Sequence, residues 1–174
     1  MGALRDRRFL REGEKKGDKV GRSRAGLSSK RHVVVDGHGV PLGLHLAGAE
    51  VHDLKAALPT LESIQVPRRH GRPRCRPHAL AGDRGYDSRK FREYLHRRGI
   101  RHSIPQCNVK PGCQRHYRAR THREISSHRW KVERFFAWLN GFRRLGIRFE
   151  RYSDLYLGFL YLAAIIICLR RLLQ

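Results

Sequence analysis

The chain has 174 residues, with 38 Lys+Arg against 15 Asp+Glu and a formal net charge of +23. A hydrophobic fraction of 40% suits one folded domain with its own core. So large a cationic excess repels itself unless a polyanion neutralises it, so nucleic acid is the expected partner and a merely solvated basic surface the alternative.

Met1 to Lys30 carries many charges and glycines without clean periodicity, and reads as a basic arm or the remnant of a first strand. The catalytic-size domain is expected over 31–174. His32–Val35 and Val40–Leu46 are β-rich runs flanking Asp36-Gly37-His38-Gly39, the pattern of a hairpin. Val51 to Ile64 has helical spacing at Leu54, Ala57, Leu58 and Leu61, with Pro59 expected to kink or restart the helix. Pro67 to Pro77, rich in Arg and Pro, predicts a surface loop.

His78 to Gly82 predicts a short buried strand ending at Asp83. Arg84 to Ser88 predicts a turn, with Asp87 or Ser88 capping a helix over Arg89–Arg98 that Gly99 stops. Ile100–Ile104 is a second short strand. Gln106 to Ser127 is a basic loop. A helix from about His128 to Leu145 shows an apolar stripe at Val132, Phe135, Leu139 and Phe142. Asp154 to Leu172 predicts a final helix. Its apolar stretch, Leu155 to Leu169, is short for a membrane span and reads as a buried helix. The order implies a mixed α/β layer with helices against one sheet.

Four cysteines, Cys75, Cys107, Cys113 and Cys168, make no disulfide framework in a chain this size. No charged-then-apolar leader opens the sequence, so a cytoplasmic protein is expected. The spacing of Cys107, Cys113 and His116 matches no common zinc pattern. Trp130 and Trp138 could stack on bases, although helical placement favours packing for at least one.

Two carboxylates could carry chemistry. Asp83 ends a buried strand beside a glycine turn, where open α/β sheets place ligands; the simpler reading is local hydrogen bonding in the turn. Glu133 lies beside the apolar stripe of its helix; the simpler reading is an ion pair with Arg129 four residues earlier. Acids from separate elements that converge in a cationic body can hold Mg²⁺ through oxygen ligands, and a pair of such ions suits phosphodiester chemistry.

The blocks VVVDGHGVPLGLHLAGAEVHD, LAGDRGYDSRKFREYLHRRGIRHSIP, RWKVERFFAWLNGFRRLGIRFER and LAAIIICLRRLL resemble the DDE transposases of small bacterial insertion sequences, from about Gly21 to Leu173. The resemblance implies an α/β, RNase H-like mixed sheet with flanking helices, here with a missing or frayed first strand. It implies a transposase that cleaves DNA and transfers strands through two Mg²⁺ (or Mn²⁺) ions held by three acids. Asp83 is the second acid and Glu133 the third. Asp6 stands where the first is expected, although Arg7 and Arg8 follow it; Asp36 is a weaker substitute. Arg129 matches an arginine expected to orient DNA or a carboxylate, and Tyr86 belongs to the turn after the second aspartate.

Tyr86, Arg129, Lys110, Arg115, Arg118, Arg120, Arg123, Arg143 and Arg144 are the expected DNA contacts, the last two near Asn140, where the family often has a lysine or arginine. Asp53, after His52, reads as a cap or sheet-edge contact. Partners implied are the element ends and target DNA, with a homodimer on DNA, no membrane, and a bacterial cytoplasm with nucleoid association. Family members are longer, so the chain is expected to be N-terminally truncated. The competing reading is a non-catalytic basic protein that binds DNA or RNA.

Overall fold

A computed structural model gives the architecture of residues 2–9, 17–23, 26–106 and 123–173, with backbone alone for 2–9, 23 and 123. Six strands form one mixed sheet: β1 (Gly2–Phe9), β2 (Gly21–Ser23), β3 (Gly26–Val35), β4 (Pro41–Gly48), β5 (Ala79–Gly82) and β6 (Arg101–Ser103). The path runs β2-β3-β1-β5-β6, with β4 also paired to β3. β1 is antiparallel to β3 and parallel to β5, and β6 is parallel to β5. The first strand is therefore present and central, where the sequence suggested an arm or frayed remnant. Its charged run, Arg5 to Arg8, hides the alternation by which strands are recognised.

Helices cover both faces of the sheet. Asp53–Glu62 forms α1 and Arg89–Arg97 forms α2. Both pack on one face with Val34, Leu80, Tyr86 and Ile104. Trp130–Asn140 forms α4 and Ser153–Leu172 forms α6. They pack on the other face with Val33, Val35, Leu44 and Leu46. Two single turns, α3 (Arg123–Ser126) and α5 (Arg143–Gly146), precede and follow α4. The alternation of Val33, Val34 and Val35 between the two helical layers is the period-two geometry of a strand buried on both sides.

Three local expectations change. α1 runs through Pro59 as one helix, because both flanking turns are held by packing of Ala57 and Leu61 on the sheet. The predicted helix from His128 to Leu145 ends at Asn140, and a separate turn follows Phe142, whose backbone is extended. The last helix has the expected span but is buried along one side only, through Tyr156, Leu160, Ala163, Ala164 and Ile167. By length and composition alone it could cross a membrane, with mean hydropathy 1.8.

The hairpin turn is an Asx turn. The Asp36 carboxylate accepts from His38 N at 2.7 Å and Val40 N at 2.9 Å. That ties Asp36 to the backbone of its own turn. The turn is pinned by three cations: Lys131 donates to Gly37 O, and Arg134 and Arg171 donate to His38 O.

Candidate active site

Asp83 follows the last residue of β5 and caps a single 3₁₀ turn, Arg84–Tyr86, accepting from Arg84 N at 2.6 Å. This is the local hydrogen bonding that the simpler reading expected, but it is not the whole environment. Arg129 Nη2 reaches the same Oδ1 at 3.1 Å. Arg129 sits immediately before α4, so this contact draws the first turn of that helix to the tip of β5. The Asp83 side chain keeps 44% of its surface exposed. Glu133 lies one helical turn beyond Arg129 and is exposed; side chains so spaced have Cβ atoms about 6 Å apart on one face. The ion pair that the sequence offered between Arg129 and Glu133 gives way to Arg129–Asp83.

The sheet register brings in Asp6 by its backbone. Ala3 of β1 is level with Gly82 of β5. Counting on from that pair, Asp83 is the next residue of its chain and Asp6 the third of its own, so both stand toward the same end of parallel neighbours. Across β1, Asp6 is opposite Arg31 of β3.

A buried polar layer lies beneath the Asp83 turn, and the sequence reading missed most of it. Lys30, Arg31 and His32 are all buried on β3, Lys30 and His32 toward Asp53 and Tyr86, and Arg31 on the opposite face toward α4. Lys30 Nζ donates to Val51 O at 2.6 Å and lies 3.4 Å from Asp53 Oδ1. Asp53, at the start of α1, is itself buried, and its Oδ2 lies so close to Gly85 that a Cβ there would sit 2.9 Å away. The Tyr86 hydroxyl meets His32 Nδ1 at 3.1 Å. Tyr86 was expected to touch DNA; only 5% of it is exposed, and its ring packs among core residues against Phe91. The adjacent polar residues were the available signal, but Lys30 fell in the segment read as an arm and His32 was read only as the start of the hairpin's first strand.

Other expected contacts divide. Lys110, Arg115, Arg118 and Arg120, with Cys107, Cys113 and His116, lie outside the described residues, and Arg123 is seen as backbone in α3. Arg143 is exposed on α5. Arg144 is anchored, donating to Glu150 at 2.8 Å and lying over Phe149 and Phe159. Asn140 accepts from buried Arg31 at 3.0 Å. The tryptophans are not open stacking platforms: Arg134 lies 4.5 Å from the Trp130 ring centre and 5.0 Å from that of Trp138, and Arg171 lies 5.4 Å from the latter. Trp130 remains half exposed. The pKa of His128, next to Arg129, is lowered by desolvation and then by Lys131.

The donors suit a hard divalent cation in type, since carboxylate oxygens are what such ions take. The hydrogen bonds from Arg84 N and Arg129 Nη2 both fall on Asp83 Oδ1. Among the described residues, no three His, Cys, Asp or Glu side chains converge for a metal.

Comparison with known proteins adds the lineage. The model of the family described as Transposase DDE domain matches residues 4–169. A Burkholderia cepacia protein named "Putative transposase for insertion sequence element IS402" is 40% identical over 146 residues, covering 83% of this chain and 64% of that relative. The chain thus spans less than two thirds of that relative's length. The mixed sheet with helices on both faces is the RNase H-like architecture of such domains, and the chain belongs to the DDE transposase family of insertion sequences.

Proposed function

We propose that this chain is the catalytic domain of a transposase that cuts DNA at the ends of its element and joins them to target DNA. Asp83 and Glu133, with Asp6 as third acid, would hold Mg²⁺ or Mn²⁺. When bound, such ions activate the attacking oxygen and stabilise charge on the phosphodiester. The observation that carries this reading is the 3.1 Å contact of Arg129 with Asp83, which joins the strand-tip acid to the helix bearing Glu133. Arg129 fixes the direction of the Asp83 carboxylate through a charge-assisted bond. The cationic surface binds the duplex through its phosphates, and DNA acts as substrate on a homodimer in the bacterial cytoplasm.

One observation favours a second reading, a DNA- or RNA-binding remnant without catalysis. Arg7 and Arg8 follow Asp6, so the expected first acid has a cationic setting. The test is cleavage and strand transfer on the element's own terminal repeats in Mg²⁺ and in Ca²⁺. Asp83→Asn and Glu133→Gln should each lower the rate by more than the roughly 10–100-fold typical of losing an outer-shell partner, while DNA affinity holds. Wild-type protein that binds DNA but never cuts it would leave the remnant reading standing.

A further inference from the structure

We propose that Arg134 and Arg171, carried on the rings of Trp130 and Trp138, form a preset phosphate-binding edge for the DNA strand that leaves the catalytic acids along α4. Trp130, Arg134 and Trp138 recur every four residues and so stand in one line on that helix. Arg134 is within cation–π reach of both rings, and Arg171 of α6 extends the row over Trp138. Trp130 follows Arg129 directly, and Glu133 lies three residues after Trp130 on the same side of the helix. The row therefore begins at the site end of α4. It runs about 12 Å along the helix, roughly three or four nucleotides of one strand. That placement rests on the catalytic reading of Asp83 and Glu133.

The way these two arginines are held marks them as binding groups. Arg92 and Arg144 are fixed by the carboxylates of Asp87 and Glu150, which offset their charge. Arg134 and Arg171 are fixed by neutral groups instead: the tryptophan faces and the His38 carbonyl, to which they donate at 3.1 and 2.7 Å. Both of those bonds come from Nη2, so Nη1 of each remains to donate to an anion. A guanidinium already fixed in place also loses less side-chain freedom on binding. Lys131, bonded to the neighbouring Gly37 carbonyl, brings a third cation to the same turn. None of the three has an acidic ion-pair partner among the described residues. The turn's own carboxylate, Asp36, is engaged by the N–H groups of His38 and Val40. Cations gathered this closely repel one another until a polyanion lies on them, and a phosphodiester strand is the anion that the reaction itself brings.

Fluorescence anisotropy of the full chain on a duplex carrying the element's terminal repeat, in EDTA, tests the contact. No divalent ion is present, so a failure of the catalytic reading leaves the measurement intact. Arg134→Gln and Arg171→Gln should each weaken binding by at least about tenfold and lower the salt slope by about one. Arg97→Gln removes the same charge from the exposed side of α2, on the opposite helical layer, and should change affinity by less than about twofold. A second arm locates the contact without relying on how the variants fold. Neutral methylphosphonates, placed one at a time near the cleaved phosphate, should weaken wild-type binding about tenfold at one or two positions. The same substitutions should cost Arg134→Gln or Arg171→Gln nothing further. Arginine variants that bind like Arg97→Gln would overturn the proposal. So would a duplex with no sensitive position, or a methylphosphonate loss that both arginine variants keep in full. An RNA duplex bound more tightly than DNA, with the same dependence on both arginines, would overturn DNA as the occupant.

Discussion

At the residue scale, the site turns on Arg129. It would be a surface arginine one turn before a glutamate, were it not aimed back at the strand tip to bond Asp83. Arg129→Ala should lower strand cleavage by roughly 10–100-fold, as for other groups that orient a metal-binding carboxylate. Arg129→Lys should recover only part, because an ammonium lacks the planar fork. Equal activity in all three proteins would show that Asp83 needs no orienting partner. Beneath the turn, Asp53→Ala leaves the Lys30 ammonium buried beside it uncompensated, a loss of about 3–5 kcal/mol in urea unfolding. An unchanged midpoint would mean that Lys30 finds other company. Asp83 and Glu133 stood out locally as a carboxylate after a short apolar run and another beside a helical stripe, but only the family resemblance gave them catalytic roles. Tyr86 could not: its hydroxyl answers to His32, 54 positions away.

At the scale of elements, the hairpin, β5, α2 and β6 follow their sequence patterns closely, since turn glycines and apolar runs bound them. β1 does not, because its position in the sheet is fixed by partners on β3 and β5 rather than by its own alternation. α6 shows the opposite failure. An apolar run says that surface must be covered, but not by what. The α1–β4 contact offers a sharp test of packing. A Cβ at Gly43 would fall 2.6 Å from Ser63 Oγ and 2.9 Å from Thr60 O. Ser63 can rotate away, but the Thr60 carbonyl belongs to helix backbone. Gly43→Ala should therefore destabilise the fold by about 1–3 kcal/mol, and a neutral result would show that α1 can slide. β4 also predicts a pH response. His45 is held below its ordinary value of 6.5 by burial and then by Lys19. The unfolded chain thus binds this proton more readily, so full stability above 6.5 should be lost as the pH falls. His45→Gln should flatten that part of the profile; an identical acid response would assign it elsewhere.

At the scale of the molecule, charge and hydrophobicity are sorted into different surfaces. Residues 155–169 of α6 carry no charged side chain, in a chain of net charge +23. Affinity for duplex DNA should fall about 10³-fold or more between 50 and 200 mM salt, the behaviour of several phosphate contacts made at once. A flat salt profile would contradict the electrostatic reading of the surface. The central claim is narrower: that Asp83 and Glu133 grip the same divalent ions. Titration of Mn²⁺ into the protein, following the free-ion paramagnetic resonance signal, tests it most directly. Asp83→Asn and Glu133→Gln should each abolish the tightest binding seen in the wild type, and the double variant should lose nothing more. If either variant kept the wild-type titration, the two acids would not share a site.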